Sequence, residues 1–556
     1  MQKGDFALNL KFLRRFRRGV TILLLCACLL LPAGCLESEP PVSRSGETDQ
    51  PQIEDDLAPG TETDPGDPAA EQTENQGVYF RAERKPAAFQ NTALLPTQEQ
   101  RPVNEESATY ERLGLNAEEK RASEQEAAGS TQFPVIFIST RAEDEILSRE
   151  TYVSCVIDVL NCAPEQELRE ASAGVRVRGN ASAYYGDEDQ IRENPVPYRI
   201  RFDERTNLLG LNGGAKNKSW VLLKVTNGII RDDLCLRYGR SIVGQTLYCT
   251  DAQMVLLYVN DELQGLYLCC EQNQVDRRRV NISKPEPGYT GTDIGYYVEL
   301  DQYGKLEDNP SFVVDYGEQI MTDIEGVTAQ FSPSPYSIKS DVYAQGQIDF
   351  IDRFVNGVFT ILYEAGVNDR FLTFDENYEL VESDYRTAQE TVGAVLDLHS
   401  AVNMYLLYEL AHDYDCGEGS FFMCVDFHES VANPKLQFTS PWDFSWTLDG
   451  RTDRYWAGAF CTDSFRAMYG DRANPWFIVL TQQDWFREMA SERWTSLRGS
   501  GAIDVCLEEE LAFLEAHQEE IDSIAGPMAK TTPKAIQWVR DRIAWMDTQF
   551  LLEELP

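Results

Sequence analysis

Two short segments in the second half of the chain carry acidic residues suited to chemistry. Residues 412–415 (His-Asp-Tyr-Asp) follow a predicted helix, and residues 441–444 (Pro-Trp-Asp-Phe) follow a predicted strand. Carboxylates on loops at the ends of one hairpin can converge on a single cleft. Phosphoryl transfer needs this layout, because one Asp orients the attacking hydroxyl while another holds the Mg²⁺ that bridges the phosphates. The alternative is that Asp413 and Asp415 are turn or capping residues and that Trp442 belongs to the core.

Basic residues are concentrated on predicted strands of the first half. Segments 174–180 and 198–202 alternate apolar and basic residues, so the arginines of each share one strand face. The cations of this region are Arg176, Arg178, Arg199, Arg201, Lys216, Lys218 and Arg231. With 50 basic and 91 acidic residues the chain has a net charge of −41, so a local run of cations suggests a specific anion such as polyphosphate. The alternative is a solvated strand face.

Other kinds of chemistry have less support in the sequence. The net negative charge makes the chain a poor nucleic-acid binder, because phosphates would be repelled. The four histidines form no His-Glu-x-x-His motif, and neither a Gly-x-Ser-x-Gly elbow nor a P-loop is present. No Cys-x-x-Cys pair exists. Zinc hydrolysis and a structural zinc site are therefore weakly supported.

The first residues are typical of an export signal. A basic start is followed by the apolar run 20–31 and then by small residues before Cys35. We expect residues 1–34 to be a lipoprotein signal peptide and Cys35 to be the lipidated residue, which would anchor an extracytoplasmic protein to the cell membrane. An ordinary cleaved signal or an uncleaved anchor is the alternative. Residues 35–130, rich in Glu, Pro, Ser and Thr, predict an acidic disordered linker.

The remaining chain, residues 131–556, predicts one α+β domain. Its first half is rich in short strands with antiparallel meander character, and its second half has helical periodicity over 348–364, 395–410, 507–525 and 534–553. We therefore expect a β-rich lobe, an α-rich lobe and a cleft between them. The cysteine spacings allow disulfides between Cys155 and Cys162 and between Cys416 and Cys424, with buried free thiols as the alternative.

An ordered series of segments gives the domain a family likeness. The segments are 133–136 (Phe-Pro-Val-Ile), 177–182 (Val-Arg-Gly-Asn-Ala-Ser), 197–202 (Pro-Tyr-Arg-Ile-Arg-Phe), 208–210 (Leu-Leu-Gly), 218–223 (Lys-Ser-Trp-Val-Leu-Leu), 258–268 (Tyr-Val-Asn-Asp-Glu-Leu-Gln-Gly-Leu-Tyr-Leu), 408–410 (Tyr-Glu-Leu) and the two acidic loops. Over about residues 131–550 the chain resembles the CotH (spore coat protein H) family of atypical protein kinases. The resemblance implies a two-lobed kinase-like fold that transfers the γ-phosphoryl group of ATP to Ser or Thr of a protein, with Mg²⁺ or Mn²⁺.

The resemblance also implies roles for individual residues. Asp415 matches the catalytic Asp of the family, and Asp443 matches its metal-binding Asp. Arg201 falls where the family often has a Lys that contacts phosphate, and Arg178 lies in the family's Arg-Gly-Asn turn. The implied ATP-binding set is Arg178, Arg199, Arg201, Lys218 and Glu271.

Three positions depart from the family pattern. Asp413 stands where the family often has Asn, and Ser445 replaces the second Asp of the Trp-Asp-x-Asp motif. Gly419 and Ser420 occupy the place of a metal-binding Asn, which makes Ser420 and Asp413 candidates for an altered metal shell. The alternative to a kinase is therefore a catalytically inactive, CotH-like surface or spore-coat protein with a structural or binding role.

Overall fold

Seven strands of the first half close into a barrel. They are β1 (Val135–Ser139), β2 (Val153–Leu160), β3 (Leu168–Val177), β4 (Tyr198–Thr206), β5 (Asn217–Lys224), β6 (Ala252–Val259) and β7 (Glu262–Glu271). The strand order is β1-β2-β3-β4-β5-β7-β6, and all neighbours are antiparallel except β1 and β6, which pair in parallel and close the ring. The sequence indicated the antiparallel meander but not its closure.

The computed structural model describes residues 89, 91, 93–95, 103–225, 230–302, 309–317, 320–330, 333–413, 415–448, 473–525 and 532–552. All of them lie in one compact unit, Pro68–Pro556. The predicted signal peptide, Cys35 and most of the predicted linker fall outside the described residues. Among the helices of the described ranges, none is both long and apolar enough to span a bilayer.

Alternation along the strands fills the barrel interior. Val175, Ile200, Trp220 and Tyr267 point inward and are fully buried. On β4 this leaves Arg199 and Arg201 on the outer side, because successive side chains of a strand point to opposite faces. The period-two pattern seen in the sequence is therefore confirmed.

The second half contains a sheet as well as helices. Its strands are β8 (Gly295–Leu300), β9 (Ser311–Val314), β10 (Ile320–Thr322), β11 (Thr328–Gln330), β12 (Ser334–Ile338), β13 (Leu372–Phe374), β14 (Leu380–Glu382), β15 (Phe421–Asp426) and β16 (Gln437–Thr439). Five of them form an antiparallel sheet in the order β16-β15-β8-β12-β9, while β10-β11 and β13-β14 are separate pairs. The α-rich half is thus built around a five-stranded sheet that the sequence pattern showed only in part.

The α-helices of at least six residues in the described ranges are α1 (Ala117–Ala128), α2 (Glu188–Glu193), α3 (Arg231–Ile242), α4 (Gln345–Val367), α5 (Ala388–Val395), α6 (Leu398–Ala411), α7 (Pro475–Thr481), α8 (Asp484–Gly499), α9 (Ala502–Ala525) and α10 (Thr532–Phe550). The four predicted helices correspond to α4, α6, α9 and α10. Helix α6 is buried on nearly all sides, and its Glu409 forms an ion pair with Arg542 of α10 in the core. The α+β class is confirmed, whereas the closed barrel is not a feature of the two-lobed kinase fold that we expected.

The folded body begins before the expected boundary at residue 131. Phe89 is buried against Phe350, with ring centroids 5.1 Å apart. Helix α1 starts at the side-chain cap of Asn116. Ahead of it, Tyr110 and Leu113 pack against the barrel. A few apolar anchors thus order a segment whose composition is otherwise that of a linker.

One polar cluster fastens this N-terminal segment to the barrel. The hydroxyl of Tyr110 lies 2.6 Å from Asp158 Oδ2 of β2 and 3.0 Å from Glu124 Oε1 of α1. All three side chains are essentially excluded from solvent. Arg169 of β3 approaches both carboxyl groups, at 3.7 Å from Glu124 and 4.0 Å from Asp158.

The cysteines of the described ranges are all free. Neither Cys155 with Cys162 nor Cys416 with Cys424 forms a disulfide, so the alternative of free thiols is correct. Cys155 points into the barrel interior and is fully buried, whereas Cys162 lies beyond the end of β2 and is partly exposed. Burial raises the pKa of the Cys155 thiol far above its usual range.

Candidate active site

Four arginines gather on the outer side of the barrel. Arg176 of β3 is the direct partner of Arg199 of β4, and Arg201 follows two residues later on the same face. Arg178 comes just after the end of β3. We call Arg176, Arg178, Arg199 and Arg201 the arginine face.

The arginines of this face repel one another electrostatically. Burial, together with the charges of Arg176, Arg178 and Arg201, lowers the pKa of Arg199 to about 10. Its Nε atom is buried and has no hydrogen-bond partner among the described residues. The guanidinium of Arg176 lies 5.3 Å from the ring centroid of Tyr152. A bound anion would relieve both the repulsion and the unpaired donor.

Carboxylate partners are missing where they would be expected. Within the part of the chain that the structure describes, Arg176, Arg178 and Arg199 form no ion pair with an acidic side chain. Elsewhere in the same chain arginines do pair, as Arg237 does with Asp233. In a protein with 91 acidic residues, three clustered arginines without a carboxylate partner make this face a candidate site for a negatively charged ligand.

The loop that carries Asp443 is attached to this face. The ring centroid of Trp442 lies 5.4 Å from the guanidinium carbon of Arg178. The backbone N–H of Phe444 donates to Asp232 Oδ1 at 2.9 Å, and Arg231 Nη1 donates to the carbonyl oxygen of Ser445 at 3.1 Å. The loop is therefore fixed between the arginine face and the first turn of α3.

Asp443 itself is exposed and has an unusual backbone conformation. Its φ of +63° lies in the left-handed region, which residues other than glycine seldom adopt. The hydroxyl of Ser445 donates to Asp443 Oδ1 at 2.9 Å. Such a backbone conformation at a candidate site marks a position that the surrounding structure constrains.

Asp232 is a member of this site that the sequence reasoning missed. Burial raises the pKa of Asp232 to about 7, and the nearby charge of Asp443 adds to the rise. The N–H of Phe444 and the charges of Arg231 and Arg178 oppose it. An acidic residue in the first turn of a helix ordinarily stabilises the helix by interacting with its dipole. The position of Asp232 therefore did not indicate a functional role.

The loop of Asp413 and Asp415 approaches α3 from another side. Asp413 is 2% exposed, and its Oδ1 accepts the backbone N–H of Asp415 at 2.9 Å. Both Asp413 and Asp232 raise the pKa of the buried Cys235 thiol of α3, after the larger effect of burial. The two acidic loops thus reach the first turns of one helix. The tight turn around Asp413 fits the alternative role of a turn residue better than that of a metal ligand.

Asp415 and Ser420 belong to the same turn. Asp415 is partly buried, and its carbonyl oxygen accepts the N–H of Glu418 at 2.9 Å. Ser420 has a φ of +57° and is partly buried, and its carbonyl oxygen accepts the hydroxyl of Tyr408 at 3.5 Å. Ser420 is therefore held by its backbone directly before β15.

Two of the expected ATP-binding residues, Lys218 and Glu271, lie outside the arginine face. Lys218 is exposed on the side of β5 opposite to Ser219, the partner of Arg201, and its Nζ donates to the carbonyl oxygen of Asp203 at 2.5 Å. Glu271 is fully buried at the end of the barrel where β5 begins and β7 ends. There Arg279 Nε lies 3.0 Å from Glu271 Oε1. Lys218 and Glu271 are therefore not part of the arginine face, and their role in ATP binding stays a prediction.

The carboxylates near the arginine face can be tested for a metal. In the described ranges, no group of three or more His, Cys, Asp or Glu side chains has a metal-binding arrangement. Asp232 and Asp443 are near enough to interact, since the charge of Asp443 adds to the effect of burial in raising the pKa of Asp232. Mg²⁺ commonly uses one or two carboxylates together with substrate phosphates, so this donor set fits a nucleotide-bound divalent ion.

The comparisons with known proteins add no relative. No family model matches the sequence. A search of curated proteins gives no significant match.

Proposed function

We propose that this chain is an extracytoplasmic, lipid-anchored, CotH-like protein kinase that transfers the γ-phosphoryl group of ATP to Ser or Thr of a protein. The observation that carries the proposal is the arginine face. It combines at least three cations without ion pairs among the described residues, in a chain of net charge −41, next to the Asp443 loop. The resemblance to the CotH family supplies the reaction.

In this proposal the arginine face holds the triphosphate. Arg199 and Arg176 share one cross-strand position, and Arg178 reaches the Asp443 loop through Trp442. Guanidinium groups suit phosphate because their N–H donors bind two oxygens at once. Phosphate bound here would lie between the barrel and the first turn of α3.

Asp443 and Asp232 are the residues that would hold Mg²⁺ or Mn²⁺. The ion, when bound, neutralises charge on the phosphates and so favours departure of ADP. Without an ion the two carboxylates repel each other, as the raised pKa of Asp232 reflects. Asp443 is exposed and therefore accessible to a nucleotide arriving with its ion.

Asp415 would orient the hydroxyl of the acceptor protein. In an in-line transfer a bond forms between the acceptor oxygen and the γ-phosphorus, the bond between that phosphorus and the bridging oxygen of ADP breaks, and the hydroxyl proton passes to Asp415. Asp415 is partly buried in a turn that reaches α3. The barrel would then act as the N-terminal lobe of an atypical kinase, and the five-stranded sheet with its helices as the C-terminal lobe.

A second candidate is a catalytically inactive surface or spore-coat protein that binds an anion without turnover. The hydrogen bond from Ser445 to Asp443 favours it, because Ser445 stands where the family usually has a second Asp. The burial of Asp413 also withdraws one expected carboxylate from the metal shell. ATP is scarce outside cells, which points in the same direction for an exported protein.

Both candidates require an anion site at the arginine face, and measuring nucleotide binding tests whether that site exists. The purified chain should bind ATP in the presence of Mg²⁺ or Mn²⁺, and Arg199→Gln should weaken binding by about ten- to hundredfold, since a hydrogen bond to a charged group contributes roughly 1.5–3 kcal/mol. Arg192→Gln is the matched control, because Arg192 is an exposed arginine already paired with Glu145. Equal loss in both variants, or no binding in the wild-type chain, would refute the anion site.

Phosphate transfer then tests the enzyme. Radiolabel from the γ-position of ATP should reach a Ser-rich acceptor protein with the wild-type chain and not with Asp415→Asn. Nucleotide binding should survive this substitution, because Asp415 is assigned to the acceptor. Binding without any transfer, with Mg²⁺ and Mn²⁺ both tried, would favour the inactive protein.

A further inference from the structure

The end of the barrel where β5 begins and β7 ends contains buried donors that nothing among the described residues satisfies. We call Asn217, Glu271 and Arg279 together the barrel mouth. Arg279 has a side chain that is 0% exposed, and both of its Nη atoms lack a hydrogen-bond partner. Asn217 is also fully buried, and its Nδ2 atom lacks a partner.

The neighbouring carboxylates are already engaged. Glu271 Oε1 accepts from Arg279 Nε and from Asn212 Nδ2, each at 3.0 Å, and Glu271 Oε2 lies 3.4 Å from the N–H of Asp251. Asp276 pairs with Arg205 at 2.9 Å. Neither carboxylate is hydrogen-bonded to the Nη atoms of Arg279. Both acids already have other partners, so these donors stay unsatisfied in the fold.

The two residues with free donors, Arg279 and Asn217, both contact Trp220. The guanidinium carbon of Arg279 is 5.2 Å from the ring centroid of Trp220. Trp220 Nε1 donates to the carbonyl oxygen of Asn217 at 3.1 Å. The Oδ1 atom of Asn217 accepts from Arg205 Nη2 at 3.2 Å, so the amide nitrogen is turned away from Arg205.

Every unsatisfied atom at the barrel mouth is a donor. The two Nη atoms carry four N–H groups and the amide carries two. Buried polar groups are normally paired, so a set made only of donors favours a ligand that accepts hydrogen bonds. The local charge also favours an anion, because the nearest acids are balanced by Arg279 and Arg205 while Arg277 and Arg278 add exposed positive charge.

We propose that the barrel mouth binds a small monovalent inorganic anion, such as chloride, through the Nη atoms of Arg279 and Nδ2 of Asn217. A large ligand is disfavoured because both residues are fully buried. The anion has a structural role, because it accepts the hydrogen bonds of the buried donors near Trp220 at the end of the barrel. This site is separate from the arginine face and does not depend on the proposed kinase activity.

The first test is thermal unfolding of the full chain at constant ionic strength, with sodium bromide or chloride replacing sodium gluconate. Gluconate serves as the reference because it is a much bulkier anion than a halide. The Tm should rise by a few degrees with halide and should increase with the logarithm of its concentration, as expected for a ligand that binds only the folded state. A wild-type Tm that does not respond to halide overturns the proposal.

Variants assign the effect to the site. Asn217→Asp keeps an oxygen for Arg205 but replaces the donor amide with a negative charge, so the halide-dependent shift should disappear. Arg279→Lys removes both Nη atoms and should reduce the shift as well. Arg498→Lys is the control, since Arg498 of α8 is a largely buried arginine whose partners Asp504 and Asp547 lie outside the barrel mouth, and it should keep the shift. An unchanged shift in Asn217→Asp would contradict the assignment.

A crystal of the wild-type chain grown with bromide gives a direct answer that needs no variant. An anomalous peak in contact with Arg279 Nη and Asn217 Nδ2 supports the site. A water at that position, or bromide only elsewhere, overturns it. This result decides the question even if none of the variants folds.

Discussion

The contact between Tyr110, Glu124 and Asp158 leads to a prediction about proton count. A phenol has one hydrogen, yet its oxygen lies within hydrogen-bond distance of two carboxyl groups. Both contacts are satisfied only if one of the two carboxyl groups is protonated and donates to Tyr110, which in turn donates to the other; we assign the proton to Glu124. Burial, and then the charge of Asp158, raises the pKa of Glu124 to about 7, in agreement with this geometry.

The magnitude follows from that pKa. A rise from the usual 4.5 to about 7 corresponds to about 3 kcal/mol, at about 1.4 kcal/mol for each pH unit. Since the folded pKa lies above the unfolded one, this stability is fully present below pH 4.5 and is lost as the pH rises to about 7. Glu124 is 1% exposed, so screening by solvent is small.

Glu124→Gln should remove this pH dependence. The amide of Gln can donate to Tyr110 at any pH, so the variant should gain up to about 3 kcal/mol relative to the wild type between pH 5 and pH 8. Urea unfolding at several pH values measures the difference. Glu119→Gln, an exposed position on the same helix, controls for the lost charge. A difference between Glu124→Gln and the wild type that does not change with pH would refute the reasoning.

Three further outcomes are expected. Binding of ATP with Mg²⁺ near pH 7 should release a proton from Asp232, because its pKa of about 7 would fall beside the cation. Calorimetry in buffers of different ionisation enthalpy should detect this release in the wild type and not in Asp232→Asn. Arg542→Met should cost about 3–5 kcal/mol in denaturant unfolding, because it leaves Glu409 buried without its cation, and a double variant with Glu409→Met should recover part of the loss. Gly174→Ala should destabilise the docked N-terminal segment, because the added Cβ would lie 2.2 Å from Val103 Cγ1; faster proteolysis near residue 103 would report it, and unchanged proteolysis would contradict it.

Local pattern was sufficient to predict the arginine face. The alternation around Arg199 and Arg201 fixes which side chains share a strand face, whatever the rest of the fold does. Closure of the barrel was beyond such reasoning, because β1 meets β6 in parallel across more than a hundred residues of chain. Nothing in either strand alone distinguishes that partner from others.

At the candidate site, too, local sequence pattern did not show the contacts between residues that are far apart in the chain. Lys218 was grouped with the arginines from its neighbourhood in sequence, although its strand position directs it to the other side of β5. Asp232 was missed because only the approach of the Asp443 loop gives it a second carboxylate and the N–H of Phe444. The Glu- and Ala-rich composition of 105–128 has helical potential, but the ordered docking of helix α1 was not predicted, because few apolar residues anchor it and its polar contacts are made with distant strands.

The free thiols provide a built-in reporter of local opening. Cys155 and Cys269 lie inside the barrel, Cys424 lies on the five-stranded sheet, and Cys506 lies between α9 and α3. Each of these thiols reacts with an alkylating reagent only when the part of the fold around it opens. Pulse labelling read by mass spectrometry would therefore show the order in which barrel, sheet and helices come apart, without introducing a single probe.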